Sequence, residues 1–576
     1  MYRNTALSAR SFGAYACTWI VALLLVWTPA RAGPGHHAVA TAHPLATDAA
    51  EAVLAAGGNA FDAAIAVTAA LGVAQPQGSG LGGGGFFLLY HAESEHSVML
   101  DARETAPEAA HRDLFLDDAG EPVPGLSLDG ALAAAIPGTP AALVHLAEHY
   151  GRLSLGTSLA PAIELAEEGV PADLTYLQMA EFRKRALRAG ADAAGIFLDD
   201  GELPAERARI LQPDLARTLR RLAEHGHSGF YEGEIAQRLV EGVRAEGGIW
   251  SLDDLARYRV VERRPVVLEY QDARIVTAAP PSSGGIVIGQ ILNILAAAGA
   301  VDDSGLRTHL LVEAMRRAYR DRALYLGDPD HVPIPVTRLL SADYAADWYA
   351  SIDPDRATPS ASLPLFGEAE HAATTRTARE SRQTSHFSVM DADGNRVSGT
   401  ITLNYPFGSG LVPPDTGVLL NNEMDDFATH QGSPNVYGLI GFDANAVGPH
   451  RRPLSSMSPT FVETPDRIAV LGSPGGSRII TIVLQGILAT LEGADAEALA
   501  ARPRFHHQYL PDRVEFETGA FTSSVRASLV RRGHRLAPQL RPFGDLQVVV
   551  WDRSEDRLEA ASDPRGDGTA SVFVQR

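Results

Sequence analysis

The dominant pattern along the chain is a nearly unbroken run of small and apolar residues from Ala49 to Ala70, interrupted only around Asn59. Asn59 followed by Asp62 is typical of an N-cap, so the run predicts two buried helices. Apolar residues at helical spacing predict further helices, which cover 140–149, 159–168, 215–225 and 308–325. Apolar and polar residues alternate, as in strands, within 84–101, 384–404, 467–472 and 545–552. Helices therefore dominate the first two-thirds of the chain, and strands become denser after it.

Residues 353–383 interrupt this pattern, because they contain few apolar side chains and many Asp, Ser, Thr and Arg residues. This composition predicts an exposed linker that ends where a strand begins at residue 384. No fixed period repeats along the chain, so solenoids and propellers are not expected. The length of 576 residues by itself suggests roughly three or four domains.

The N-terminus has the pattern of a secretory signal. Arg3 and Arg10 precede an apolar run over 14–27, and small residues at the spacing read by a signal peptidase end at Ala32. The run is too short to span a bilayer, and Cys17 lies inside it rather than after it, which excludes a lipoprotein. We therefore expect a signal peptide over 1–32 and a periplasmic or secreted protein without an integral membrane segment.

The composition narrows the chemistry. Hydrophobic residues make up 45% of the chain and charged residues 21%, as in a globular protein, and the formal net charge of −21 without a basic stripe argues against nucleic-acid partners. Cys17 is the single cysteine and Lys184 the single lysine. Removing 1–32 takes away that cysteine and three arginines, which moves the net charge from −21 to −24. Disulfides, thiolates, Schiff bases and a Walker P-loop are thereby excluded, and we expect no cofactor.

Two motifs have more ordinary interpretations than their first appearance suggests. The glycines over 78–83 match a dinucleotide-binding pattern, but a helix precedes them and a strand follows, so we interpret them as a turn that lets two backbone segments approach closely and walls a site. The histidine pairs His36-His37 and His506-His507 lack accompanying ligands at metal-site spacing, so no metal is expected. No Gly-x-Ser-x-Gly elbow supports a hydrolase serine.

The segment 384–404 predicts a β-hairpin. Residues 392–394 suit a three-residue loop with Gly394 in the left-handed conformation, and the resulting register places Thr384 opposite Thr402. A threonine becomes a nucleophile when a base takes its proton, and chain cleavage before Thr384 would free an α-amine for that purpose. On spacing alone, however, Thr384 is more simply interpreted as a β-forming residue.

A strand, a turn with Gly475 and Gly476, and a helix start follow one another over 470–484. Free backbone N–H groups at such a turn suit an oxyanion hole. A plain strand-to-helix connection would show the same pattern.

Taken together, these segments resemble the γ-glutamyltransferase (glutathione hydrolase) family of N-terminal-nucleophile hydrolases, from about residue 42 to 565. Eight stretches match in order: GGNAFDAA (57–64), LGGGG (81–85), DARETAP (101–107), PPSSGG (280–285), TSHFSVMD (384–391), LNNEMDDF (420–427), RPLSSMSP (452–459) and GSPGGSR (472–478).

The resemblance implies an α+β fold, a four-layer αββα sandwich with one core. It implies a precursor that cuts itself between Gln383 and Thr384, giving a large fragment (33–383) and a small catalytic fragment (384–576) that stay together as a heterodimer. Thr384 would attack glutathione or another γ-glutamyl compound and form a γ-glutamyl ester. Water or an acceptor amino acid or dipeptide would then resolve that ester.

The resemblance also assigns roles in the pocket. Thr402 would orient Thr384, and Gly475 and Gly476 would supply the oxyanion N–H groups. A glutamyl group presents a carboxylate and an ammonium, and each needs an opposite charge. The carboxylate would bind Arg103, Ser455 and Ser456, and the ammonium would bind Asn404, Glu423 and Asp426. Some relatives carry glutamine at the position of Glu423, which leaves specificity open.

Residues 434–443 resemble the lid loop of many bacterial members, with Tyr437 as its gate. Two alternatives remain at this point: an acylase of the cephalosporin type on the same scaffold, and a non-catalytic periplasmic protein that binds γ-glutamyl peptides.

Overall fold

The computed structural model describes residues 33–363 and 384–574, so the predicted signal segment, most of the predicted linker and Gln383 lie outside the described residues. The residues from Gly33 onward cluster into one compact unit rather than into three or four domains. Length was therefore a poor guide to domain number.

Most strands belong to two large sheets. The strands in chain order are β1 (His37–Thr41), β2 (Gly84–His91), β3 (His96–Ala102), β4 (Val170–Pro171), β5 (Arg209–Ile210), β6 (Val261–Arg263), β7 (Val266–Tyr270), β8 (Ala273–Thr277), β9 (Thr384–Met390), β10 (Arg396–Thr402), β11 (Thr460–Glu463), β12 (Arg467–Gly472), β13 (Phe505–His506), β14 (Val514–Phe516), β15 (Leu536–Pro538), β16 (Gln547–Asp552), β17 (Arg557–Ser562) and β18 (Thr569–Phe573).

The helices are concentrated before residue 351. In chain order they are α1 (Pro44–Ala55), α2 (Ala60–Ala74), α3 (Thr139–His149), α4 (Leu155–Glu168), α5 (Leu174–Ala189), α6 (Ala191–Phe197), α7 (Pro213–His225), α8 (Ser228–Tyr231), α9 (Gly233–Ala245), α10 (Leu252–Arg257), α11 (Gly284–Ala298), α12 (Ser304–Tyr325), α13 (Val336–Leu339), α14 (Ala342–Ala350), α15 (Ile479–Leu491), α16 (Ala496–Ala501) and α17 (Ser523–Arg531).

The first large sheet has the strand order β18-β1-β9-β10-β2-β3-β6, and the second has the order β17-β16-β12-β11-β8-β7. Every neighbouring pair for which a register is given in these two sheets is antiparallel. Both sheets combine strands from before and after residue 384, so neither half of the chain could complete a sheet alone.

The alternation along β2 shows how the layers form. Phe86 and Leu88 join the core between the two sheets, whereas Phe87 and Leu89 join the core under helices α1 and α2. Successive strand residues point to opposite faces, so one apolar strand serves both cores. The second sheet is covered on its other side by α11 and α15. The predicted four-layer αββα sandwich is thereby confirmed.

Local predictions agree with this structure where the signal was short-range. Asn59 caps α2 in a reciprocal capping box with Asp62, and the predicted helices and strands are all present within a few residues of their expected ends. The predicted linker is mostly exposed in its described part, 353–363, with Ser360 and Leu363 as its buried residues. Ser360 is held by distant segments, since its backbone N–H donates to Asp512 and its hydroxyl accepts from Arg316.

Among the described residues, none of the helices is both long enough and apolar enough to cross a bilayer.

Candidate active site

Thr384 is the first residue of β9, and it lies directly opposite Thr402 on β10, as the hairpin register predicted. The two hydroxyl oxygens are 3.0 Å apart, and both side chains are buried. The Thr402 hydroxyl also accepts a hydrogen bond of 2.8 Å from the backbone N–H of Asn404. Thr402 thus fixes the position of the Thr384 hydroxyl at the open end of the strand.

The hairpin turn that sets this register has the predicted form. Asp391 and Asn395 exchange the closing hydrogen bond, with 2.9 Å between the Asp391 nitrogen and the Asn395 oxygen, and Gly394 has a φ of +90°. The Asp391 carboxylate accepts hydrogen bonds from the backbone of Asn395 and of Ala60 at the start of α2. The turn is therefore anchored to the helical layer.

The glycine-rich turn over 78–83 forms a wall beside the two threonines, as predicted. A Cβ at Gly83 would lie 2.0 Å from the carbonyl oxygen of Thr402, and one at Gly82 would lie 2.0 Å from that of Leu419. Only glycine lets the backbone approach this closely. The dinucleotide interpretation is excluded by the neighbouring elements, since α2 precedes the turn and β2 follows it.

Gly475 and Gly476 follow β12 and precede α15, in the predicted strand, turn and helix order. Their φ angles are +135° and +54°, which favours glycine at both positions. Within the described residues neither amide N–H donates a hydrogen bond to the protein. The backbone of Gly476 packs against the Tyr437 ring, since a Cβ added at Gly476 would lie 2.5 Å from a ring carbon of Tyr437.

Arg103 lies at the opposite end of the pocket and is fully buried. Its guanidinium donates to Glu423 and, over 2.5 Å, to Asp426, and also to the backbone oxygens of Pro453 and Leu454. Burial opposes the charge of Arg103, but the two carboxylates hold its pKa above the usual value. The groups predicted to bind opposite ends of a glutamyl group therefore pair with each other.

Tyr437, in the segment 434–443 that the sequence predicts to be a lid, lines the pocket. Its hydroxyl donates to the backbone oxygen of Asn404, a residue with a φ of +73°. The segment is held by two acidic side chains, because Asn435 donates to Asp426 over 3.0 Å and the backbone N–H of Val436 donates to Asp425 over 2.9 Å. Sequence reasoning did not include Asp425 in the site.

One small cavity connects these features. Its lining includes every predicted site residue of the described chain except Gly475: Arg103, Thr384, Thr402, Asn404, Glu423, Asp426, Tyr437, Ser455, Ser456 and Gly476. Leu439, Met457 and Ile479 add apolar walls. Residues more than 370 positions apart in sequence are thus brought to a single site.

Glu104 is a charged neighbour that sequence reasoning missed. It is fully buried, neither carboxylate oxygen has a hydrogen-bond partner in the described part of the chain, and one oxygen lies 3.8 Å from the Arg103 guanidinium. Burial raises the pKa of Glu104 to about 7, and burial also raises the pKa of Glu423. Its position directly after Arg103 in the sequence is the feature from which its place near the site could have been predicted.

The histidines do not contribute to this cavity. His386 lies between the two sheets with its ring 2.8 Å from the Thr400 hydroxyl, and burial lowers its pKa to about 3. His506 contacts Thr481, and His507 contacts Asp512. Neither pair forms a ligand cluster in the described residues.

In the described chain, one group places three possible metal ligands within 4.8 Å of one another: His309, Glu313 and His534. The Glu313 carboxylate already accepts hydrogen bonds from Arg316 and Arg317, and the two histidine rings bond each other over 2.7 Å. A cation would have to displace two guanidiniums from the same carboxylate, so this donor set does not fit a metal ion. The absence of a metal remains a prediction.

Comparisons with known proteins agree with this site. The family described as Gamma-glutamyltranspeptidase matches residues 46–573. The chain is 40% identical over 550 residues to a glutathione hydrolase proenzyme of Escherichia coli, covering 94% of this chain and 92% of the relative. It is 39% identical to a glutathione hydrolase proenzyme of Pseudomonas aeruginosa, covering 93% of this chain and 94% of the relative.

Two solved structures are also similar. A cephalosporin acylase from Bacillus halodurans has a TM-score of 0.81 and 28% identity, covering 94% of this chain and 96% of that chain. A Helicobacter pylori gamma-glutamyltranspeptidase chain has a TM-score of 0.54 and 37% identity, covering 58% of this chain and 96% of that chain.

Proposed function

The chain belongs to the gamma-glutamyltranspeptidase family, and from this premise we propose that it acts on glutathione and related γ-glutamyl compounds with Thr384 as the nucleophile. The family membership makes it an enzyme of the N-terminal-nucleophile type with hydrolase and transferase activity.

The proposed reaction begins when the Thr384 hydroxyl attacks the γ-carbonyl carbon of the donor. The α-amine freed before Thr384 takes the hydroxyl proton, and Thr402, 3.0 Å away, keeps the oxygen aimed at the pocket. Negative charge develops on the carbonyl oxygen, and the N–H groups of Gly475 and Gly476 are free to donate to it. The amine of the leaving group departs with a proton, and water or an acceptor amino acid or dipeptide then cleaves the ester.

The pairing of Arg103 with Glu423 and Asp426 is the observation that carries the proposal. A γ-glutamyl group brings one carboxylate and one ammonium, so it can exchange with these internal pairs. Its carboxylate would take the Arg103 guanidinium together with Ser455 and Ser456. Its ammonium would take Glu423, Asp426 and Asn404. The buried charges would then remain paired whether or not the donor is bound, which avoids the cost of an isolated charge.

Maturation is the second part of the proposal. Thr384 begins a strand, and the polar stretch before it suits cleavage at the Gln383–Thr384 bond. Fragments 33–383 and 384–576 would remain one heterodimer, and the relatives' description as proenzymes supports such processing. With the predicted signal peptide over 1–32, we expect export to the periplasm or the medium.

The acylase is the alternative that deserves a direct comparison, since one similar structure is a cephalosporin acylase. A glutaryl group brings a carboxylate but no ammonium, so it would leave three carboxylates, its own and those of Glu423 and Asp426, facing Arg103. We therefore expect a γ-glutamyl anilide to be hydrolysed at least about tenfold faster than a glutaryl anilide. The reverse preference would favour the acylase.

The nucleophile assignment is tested by substituting Thr384. We expect Thr384→Ala to remain one uncut, inactive chain, and Thr384→Ser to cut itself and retain partial activity because it keeps the hydroxyl. Mass spectrometry and γ-glutamyl anilide turnover give both readouts. Two normal fragments with full activity from Thr384→Ala would contradict the proposal, and an uncut wild-type protein would favour the peptide-binding alternative.

A further inference from the structure

Arg322 on α12 is a buried cation directly behind the cavity. Its side chain has 5% of its surface exposed, and its guanidinium donates to the Ser283 hydroxyl over 3.0 Å and to the Ser456 hydroxyl over 3.3 Å. Within the described part of the chain, no carboxylate forms an ion pair with it. Burial lowers the pKa of Arg322 to about 10, which leaves it charged at neutral pH.

This lack of an acidic partner distinguishes Arg322 from the other buried arginines. Each of the other buried arginines in the described chain has a carboxylate within 4 Å: Arg103, Arg183, Arg316, Arg317, Arg320, Arg396, Arg452, Arg478 and Arg504. A buried charge without a partner is costly, so its retention needs a reason. The cavity lies next to Arg322, since Ser456 belongs to the cavity lining. An anion bound there could pair with this charge.

The hydrogen bonds around Arg322 leave two serine hydroxyls ready to donate. Ser456 accepts from Arg322, and the Ser455 hydroxyl accepts from the backbone N–H of Met457 over 3.1 Å. Since each oxygen already accepts a hydrogen bond, each O–H is directed elsewhere. Both serines line the cavity, so their hydrogens can serve a carboxylate bound there.

Arg322 also holds the second serine indirectly. The Ser283 hydroxyl accepts from Arg322 and donates over 2.6 Å to the backbone oxygen of Ser455, while the Ser283 N–H donates to the same oxygen over 2.8 Å. One guanidinium thus fixes Ser456 directly and Ser455 through Ser283.

We propose that Arg322 is a positioning residue for the donor's α-carboxylate, which orients Ser455 and Ser456 and adds a positive charge that forms no ion pair with a carboxylate of the described chain. The inference rests on the proposed function and deepens it. Arg103 alone faces Glu423, Asp426 and Glu104, three carboxyl groups around one cation. Arg322 supplies the second cation of the pocket wall. It lies before residue 384 and the serines lie after it, so the carboxylate site is built across the proposed cleavage point.

The test uses two donors in the full-length, processed enzyme. A γ-glutamyl anilide carries the α-carboxylate, and a 4-aminobutyryl anilide keeps the amine but lacks that carboxylate. We expect Arg322→Gln to raise KM for the first by about tenfold with a smaller effect on kcat, and to leave kcat/KM for the second nearly unchanged. Arg322→Lys, which keeps the charge but loses the planar fork, should restore part of the difference.

Controls separate this role from a loss of stability. Arg317 is a buried arginine on the same helix, and it pairs with Glu313. Arg317→Gln should therefore lower stability without changing the ratio of kcat/KM between the two donors. Ser283→Ala is a milder variant that replaces Arg322→Gln if the latter does not mature. It should change the donor ratio in the direction expected for Arg322→Gln. A denaturing gel reports maturation of each variant.

An unchanged donor ratio in processed Arg322→Gln, or in Ser283→Ala where Arg322→Gln does not mature, would overturn the inference, and so would an equal loss on both donors. A wild-type enzyme that does not turn over the γ-glutamyl anilide would instead overturn the proposed function.

Discussion

At the scale of single residues, Glu104 shows how this pocket balances charge. It lies beside Arg103, which already binds two other carboxylates, and it has no hydrogen-bond donor in the described residues. Burial therefore dominates and raises its pKa to about 7 from an ordinary value of 4.5. The proton that Glu104 holds near neutral pH reduces the negative charge around Arg103.

This protonation has a consequence for stability. Between pH 4.5 and 7 the folded protein holds a proton on Glu104 that the unfolded chain has lost, so this group's contribution to stability falls as pH rises through that window. The full difference is on the order of 3 kcal/mol. Glu104→Gln removes this titrating group. The melting temperature of the variant minus that of the wild type should therefore be higher at pH 8 than at pH 4.5.

Glu108→Gln is the matched control, since Glu108 is an exposed glutamate on the same segment. It removes one exposed carboxylate from the same segment and so measures what the loss of a surface charge does to the melting temperature at each pH. A Glu104→Gln effect that follows the same pH course as the control would contradict the raised pKa of Glu104.

At the scale of elements, the β9–β10 hairpin and the glycine turn over 78–83 act together. The hairpin places Thr384 opposite Thr402, and the turn passes against the carbonyl group of Thr402. Because the contact is between backbones, the wall cannot adjust by moving a flexible side chain. The geometry of the nucleophile therefore depends on a segment that makes no chemical contribution itself.

Gly83→Ala tests this dependence. The added Cβ would lie 2.0 Å from the Thr402 oxygen, so the strand must shift, and we expect a loss of about 1–3 kcal/mol in stability together with impaired self-cleavage. Gly80→Ala in the same turn is the control, because its nearest neighbour would be 3.9 Å away. Denaturant unfolding and a denaturing gel provide the measurements. Equal behaviour of the two variants would argue against a packing role for the wall.

At the scale of the whole molecule, the proposed cleavage would cut the chain in two but leave both fragments sharing one core. Strand β1 lies between β18 and β9, β10 pairs with β2, and β11 pairs with β8. Ion pairs add to this interleaving, as where Arg316 on α12 bonds Asp512. The two proposed fragments therefore bury their apolar surfaces against each other, and neither contains all the strands of either large sheet.

We expect the cut protein to elute as one species under native conditions and to separate only on unfolding. Because unfolding of two fragments is also dissociation, its midpoint should rise with protein concentration, whereas that of uncut Thr384→Ala should not. Thermal unfolding of both proteins over a hundredfold concentration range measures this. A midpoint independent of concentration in the cut protein would contradict this expectation, because it would show that unfolding is not coupled to dissociation of the fragments.

The sequence by itself was sufficient for features that depend on neighbours along the chain. The capping box at Asn59, the periods of the helices and strands, and the register of the hairpin all follow from local backbone geometry, which repeats with a known period. The ordered motifs, through their family resemblance, also identified the side chains that line the cavity, including Thr384 and Arg103.

Only the tertiary structure decided how these groups meet. The bonds of Arg103 to Glu423 and Asp426 join residues more than 300 positions apart, and the serine network of Arg322 crosses the proposed cleavage point. Burial of Ser360 in the supposed linker likewise depends on a distant partner, Asp512. Electrostatic partners and desolvation depend on the packing of distant segments, which no local pattern records, and so the charge balance of the site could be known only from the fold.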